Sequence, residues 1–148
     1  MNVKAMGASH RAASAVNTSA ALLLTWLAYT VLLGGLHIVT PPNPDSAIFD
    51  YMSWRVLGGD RVYVDVIEQN WPGAVWIHMV STVLFGNTWW SFRLLDYLLL
   101  VLASVALFWM GRKAGSRWTA LLAPPLYQLM YLTSSPWMTG QRDALSAH

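Results

Sequence analysis

Five of the seven acidic residues in this chain, Asp45, Asp50, Asp60, Asp65 and Glu68, fall in one stretch, PPNPDSAIFDYMSWRVLGGDRVYVDVIEQNWPG, from Pro41 to Gly73. That stretch directly follows an apolar segment long enough to cross a bilayer. Asp45 comes first, a few residues past the end of the segment. A carboxylate placed there can take a proton from a hydroxyl acceptor, or orient one. It would do so at the height where a lipid-linked substrate presents its phosphate and sugar. The competing explanation for acids at such a place is solvation of a loop leaving a membrane, and it suits Asp60, Asp65 and Glu68 better than Asp45.

The residues that must position these acids are mostly apolar. Of 148 residues, 55% are hydrophobic and 11% are charged. Soluble domains carry about 25% charged residues, so the composition is that of an integral membrane protein. Nine Trp agree, since Trp favours the headgroup zone. There is no Cys, which excludes disulfides, thiolate metal sites and thiol nucleophiles. A net charge of +2 with dispersed basic residues gives no case for nucleic acid.

The expected fold is all-α, with three transmembrane helices and one interfacial or fourth membrane helix. A cytoplasmic tail, 1–19, carries Lys4 and Arg11 and no acid. The first span is 20–39, AALLLTWLAYTVLLGGLHIV, followed by an outer loop at 40–70. A cleaved signal peptide competes with that assignment, but the stretch is long for one and Pro41-Pro42 follows it. Further spans are expected at 91–110 and 118–137, the second kinked by Pro124-Pro125. Between them the loop 111–117 holds Arg112, Lys113 and Arg117, which places it in the cytoplasm, and 138–148 is then an outer tail. Segment 71–90 is either a full crossing or an interfacial helix. The interfacial alternative keeps the basic loop inside, and its four Trp suit an interface.

Within the outer loop, Pro41, Pro42 and Pro44 stop the first helix. Asp45-Ser46 can cap a short amphipathic helix over about Ser46 to Leu57, with Asp50 on a different face from Asp45. Gly58-Gly59-Asp60 ends that helix, and Val62 to Ile67 alternates as an extended stretch. His37 and His78 each sit alone on an apolar segment, where packing is the more common role.

Read in order, the chain carries a hydrophobic span and PPNPD, then D-Y, L-G-G-D, V-Y-x-D and N-x-P-G. An apolar helix ending F-G follows, with an R-L-x-D helix, a G-R-K turn, a further span and a G-Q-R-D tail. This order, over residues 20–148, resembles the N-terminal part of the GT-C superfamily of glycosyltransferases. That superfamily includes the protein mannosyltransferases and aminoarabinose transferases. The resemblance implies inverting transfer of a sugar from a polyprenyl-phosphate carrier to an acceptor, on the outer face of a bacterial inner membrane. It matches the family's catalytic carboxylate to Asp45, with Asp50 in reserve. It also places Arg93 and Arg142 at the carrier phosphate, where guanidinium offers paired and permanently charged donors. A snorkelling Arg93 paired with Asp96 is an equal alternative. Related subunits hold a divalent metal with an acidic motif at the place of Gly140-Gln141-Arg142-Asp143. Only Asp143 is acidic here, so metal dependence stays open.

The departure from the family is length, because its members carry many more spans. The expectation is therefore an N-terminal fragment or a short homologue, inactive alone, with a membrane protein partner supplying the missing helices. The alternative is a non-catalytic membrane subunit that scaffolds a larger complex. A small transporter component is a third idea, set back by the lack of a charge at mid-span.

Overall fold

The computed structural model describes residues 3–67 and 72–134, with side chains described at residue 18 and from residue 20 onward. Five helices make up the regular structure of these residues: α1 (Val3–Val39), α2 (Pro44–Leu57), α3 (Gly73–Phe85), α4 (Ser91–Lys113) and α5 (Arg117–Thr133). No strand occurs among the described residues. The expectation of an all-helical chain holds.

Each boundary has a local cause. Helix α1 stops at Val39 because Pro41 and Pro42 bring no N–H, and the Thr40 hydroxyl folds back on the Leu36 carbonyl at 2.8 Å. Helix α2 starts earlier than expected. Its cap is Asn43, whose Oδ1 accepts the Ser46 N–H at 2.7 Å, and Pro44 takes the first helical position. Asp45 is therefore a first-turn residue and not the cap. At the other end Gly59 takes a φ of +109°, a conformation that carries the chain out of the helix at little cost only for glycine.

The stretch from Val62 to Ile67 differs from the extended segment expected. Val62 and Val66 share one isolated bridge, and Tyr63 sits at a φ of +68°. The cause is Asp65. Its Oδ2 accepts both the backbone N–H of Arg61 at 2.9 Å and the Arg61 Nε at 3.1 Å, closing a tight turn.

Helix α4 runs one turn past the expected end, through Lys113. Helix α5 opens on Ser116, which accepts the Thr119 N–H at 3.1 Å, and it carries Pro124 and Pro125 in its interior. The remainder of the 118–137 segment lies outside the described residues.

Two helices are long and apolar enough to cross a membrane, Ala20–Val39 within α1 and Ser91–Lys113. Helix α3 is apolar but shorter, and α5 has 17 residues. Burial runs opposite to that of a water-soluble domain. Among the described residues the buried side chains are polar or charged as often as apolar, eleven of each, while Leu24, Val31, Leu32, Leu102, Met110 and Met130 are about two-thirds exposed. A chain that hides its polar groups and exposes its leucines is matched to apolar surroundings.

The helices share two ends. His37 of α1, Asp96 of α4 and Tyr131 of α5 meet at one. Leu23, Phe108, Arg112 and Arg117 line a cavity at the other. Helices α1 and α5 therefore run in one direction and α4 in the opposite one. Close packing holds α4 to α5 at Gly111, where an added Cβ would lie 2.6 Å from the Ala120 nitrogen. The α2–α3 pair sits at the His37 end around Phe49, Ala74 and Val75, with Met52, Val56, Val62 and Met79 packed on that core.

Candidate functional site

Helix periodicity brings α2's Ser46, Phe49 and Ser53 to one buried face, with Asp50 at its edge. The buried face of α3 is Ala74, Val75, His78 and Ser81. Where these faces meet, the Asp50 Oδ1 lies 2.6 Å from the His78 Nδ1. The His78 ring is stacked on Phe92 of α4, with centroids 3.6 Å apart and planes 13° from parallel. Phe49 closes the other side, 5.6 Å from the same ring. The Asp50 carboxyl thus faces the Nδ1 edge of the ring. Nε2 is buried and has no hydrogen-bond partner among the described residues, and the same is true of the Ser46 hydroxyl.

One turn along α4 a second imidazole–carboxylate pair occurs. Asp96 is fully buried, its Oδ2 lies 2.8 Å from the His37 Nε2, and its Oδ1 accepts the Tyr131 hydroxyl at 2.5 Å. Arg93 lies between the two pairs. It is completely buried, donates an Nη to the Pro41 carbonyl at 3.1 Å, and feels the charges of Asp96 and Asp50. The guanidinium thus ties α4 to the chain leaving α1. Four residues beyond Pro41, Asp45 stands exposed in the first turn of α2.

A third polar group lies further from this end. Gln128 of α5 accepts the Trp26 Nε1 at 3.0 Å and the Thr30 hydroxyl at 2.7 Å, and donates Nε2 to the Ser104 hydroxyl at 3.0 Å. Tyr97 adds a bond from its hydroxyl to the Thr30 carbonyl at 2.7 Å. One carboxamide therefore joins α1, α4 and α5.

No protein-family model, curated protein or solved structure matches this chain.

Among the expected site residues, the structure gathers Asp50 and Arg93 into one polar end of the bundle and leaves Asp45 on its surface. Arg142 and Asp143 lie outside the described residues, as does Glu68. His37 and His78 are packed, as expected, but each is also held by a carboxylate. Asp60 pairs with Arg55 and Asp65 with Arg61, as suits surface residues. The Arg61 guanidinium, and next its backbone N–H, hold the Asp65 carboxyl below the usual aspartate range. For a divalent metal, no group of three His, Asp or Glu side chains is gathered among the described residues. The donor set there does not fit one.

Sequence reasoning missed the partners of Asp96 and the role of Gln128. A signal for both existed. Each is a polar residue inside an otherwise apolar helix, a position that demands a partner on another helix.

Proposed function

We propose that this chain is a multi-pass membrane protein related to the GT-C glycosyltransferases. Its polar end is then the outer part of a site for a polyprenyl-phosphate-linked sugar. The observation that carries this is the geometry of the α1 exit. Helix α2 begins directly after α1 and presents Asp45 exposed in its first turn, next to a segment anchored by a buried arginine.

In this reading α1, α4 and α5 cross a bacterial inner membrane and the N-terminus is cytoplasmic. The shared ends support it. Helix α4 begins at the end where α1 finishes, so α2 and α3 need not cross, and Arg112, Lys113 and Arg117 gather at the opposite, cytoplasmic end. Helix α3 then lies along the outer interface.

The chemistry follows from the parts. Asp45 accepts the proton of the acceptor hydroxyl as its oxygen attacks the anomeric carbon. The carrier phosphate leaves with the bonding electrons, and a permanent cation such as Arg142 offsets its charge. Arg93 acts from inside by fixing the exit segment and not by touching phosphate, since its guanidinium is wholly enclosed. The Asp50–His78 pair holds α2 in place. A membrane partner supplies the remaining helices of the carrier pocket.

The test is retention of undecaprenyl phosphate by the chain in nanodiscs, followed by native mass spectrometry with undecaprenol as the control. Retention of the phosphate and not of the alcohol is expected. Equal retention of both, or of neither, would refute the proposal.

A second reading is a non-catalytic subunit that scaffolds a larger complex. One observation favours it, namely that Arg93, His37, His78 and Asp96 are all engaged inside the fold. Recovery in a stoichiometric complex whose activity survives Asp45→Asn would decide for the scaffold.

A further inference from the structure

The end of the bundle away from the polar site holds a cavity of about 330 Å³, lined by Leu23 of α1, Phe108 and Arg112 of α4, and Arg117, Ala120 and Leu121 of α5. Pockets that take small ligands measure roughly 300–1,000 Å³, so the space suits a headgroup-sized one. The local sequence builds it. Gly111 lets α4 and α5 meet backbone to backbone at Ala120. The chain reverses just beyond, with Gly115 at a φ of +74° and the Ser116 N–H bonded to the Gly111 carbonyl at 3.2 Å. Arg112 directly follows Gly111, and Arg117 comes shortly before Ala120. The closed hairpin therefore brings both guanidinium-bearing positions to one mouth.

The lining is divided by depth. Phe108 lies one turn before Arg112 and Leu121 one turn after Arg117, so the apolar floor is about 6 Å from the cations along both helices. Leu23 lies just inside the apolar run Ala20–Val39. Under the membrane placement proposed above, on which this inference rests, the floor is at hydrocarbon depth and the arginines stand at headgroup height. Trp109 and Trp118, exposed next to this end, are of the residue type that favours that zone. The charge is one-sided. Residues 1–44 and 97–142 contain no Asp or Glu, so none of the three helix segments at this end brings a carboxylate.

A ligand complementary to such a cavity is anionic at one end and apolar at the other. Guanidinium offers paired, permanently charged donors to phosphate oxygens. Basic pockets between membrane helices on the cytoplasmic side suit anionic lipid headgroups. A zwitterionic headgroup brings its own cation, which two arginines repel. We propose that this cavity holds an anionic phospholipid of the cytoplasmic leaflet. Arg112 and Arg117 bind its phosphate, and the first acyl methylenes lie against Leu23, Phe108 and Leu121. The lipid thereby joins α1 to the α4–α5 hairpin, at the opposite end of the helices from the site proposed for the carrier.

The chain is placed in nanodiscs of phosphatidylcholine and phosphatidylglycerol in equal parts, and the lipids that stay on it are identified by native mass spectrometry. Phosphatidylglycerol should be retained over phosphatidylcholine. Arg112→Gln with Arg117→Gln should lower that preference about thirtyfold, and each change alone about fivefold. Both side chains are exposed, so the changes leave the packing intact. Lys113→Gln removes the same charge from a neighbour that does not line the cavity, and should leave the preference nearly unchanged. The disc presents the same lipids on both faces, so reversed insertion does not imitate the loss. No preference for phosphatidylglycerol, or a loss with Lys113→Gln as large as with Arg112→Gln, overturns the site. Displacement of the lipid by millimolar inorganic phosphate overturns the lipid as its occupant. Retention of undecaprenyl phosphate should survive the double change, and its loss would put the carrier phosphate in this cavity, against both proposals. Alkaline extraction of native membranes tests the placement itself. A chain released by alkali overturns both proposals, whereas a chain that stays without the lipid preference overturns this one alone.

Discussion

Replacing Gln128 with Leu should loosen the joint between α1, α4 and α5 without opening a void. Leu has a volume close to that of Gln, so the change removes hydrogen bonds and little packing. Three bonds are lost, from Trp26, from Thr30 and to Ser104. Side-chain bonds between membrane helices average about 0.6 kcal/mol, so the expected loss is about 2 kcal/mol. That corresponds to roughly a thirtyfold shift in the unfolding equilibrium. The Thr30 and Ser104 hydroxyls limit the damage, since each can turn to a carbonyl of its own helix, as Ser104 already does to Leu100 at 2.7 Å. Unfolding in mixed dodecyl sulfate and mild-detergent micelles, followed by Trp fluorescence, gives the free energy. A cycle with Thr30→Val should return a coupling of about 0.6 kcal/mol. A Gln128→Leu protein within 0.5 kcal/mol of the parent, or a coupling near zero, would refute the view that this carboxamide holds the three helices together.

Asp96→Asn should destabilise the fold by about 3 kcal/mol in the same assay, because the buried carboxylate that pairs with His37 and accepts from Tyr131 loses its charge; a loss under 1 kcal/mol would show that the charge is not needed there. The Asp65 carboxyl should titrate below the ordinary aspartate range in a carbon-detected NMR titration, and Arg61→Gln should return it to that range. Its folded-state value is depressed, so the Arg61–Asp65 turn is fully held above the unfolded value and weakens as pH falls through the folded one. Ser116→Cys, in the loop between α4 and α5, should resist a membrane-impermeant maleimide applied from outside the cell, and efficient labelling there would reverse the proposed orientation.

Helix positions were legible in the sequence because apolar runs and prolines act locally. The core of α1 ends at Val39 as Pro41-Pro42 requires, and α4 starts at Ser91 as expected. The cap of α2 was misplaced, although Asn43-Pro44 carries the usual pairing of a cap with proline at the first helical position. The polar end was less accessible. Asp50 and His78 are 28 residues apart, and His37 and Asp96 are 59 apart. Nothing in helix pitch tells which distant helix a buried carboxylate will face. Periodicity found the faces, but only the packing of α2 on α3, and of α1 beside α4, pairs each imidazole with its acid. At Arg61–Asp65 the alternation of Val62, Val64 and Val66 predicts an extended stretch, whereas the Asp65 side chain closes the backbone on itself.

The bonds of Asp96 also set an order of assembly on the ribosome. His37 is synthesised 59 residues before Asp96, and Tyr131 follows 35 residues after it. The carboxylate therefore emerges with one partner already waiting and the other not yet translated. Until α5 is complete, Asp96 has the imidazole and the nearby Arg93 charge but lacks the bond from the tyrosine. A chain ending before Tyr131 would leave the Asp96 Oδ1 without its hydroxyl partner.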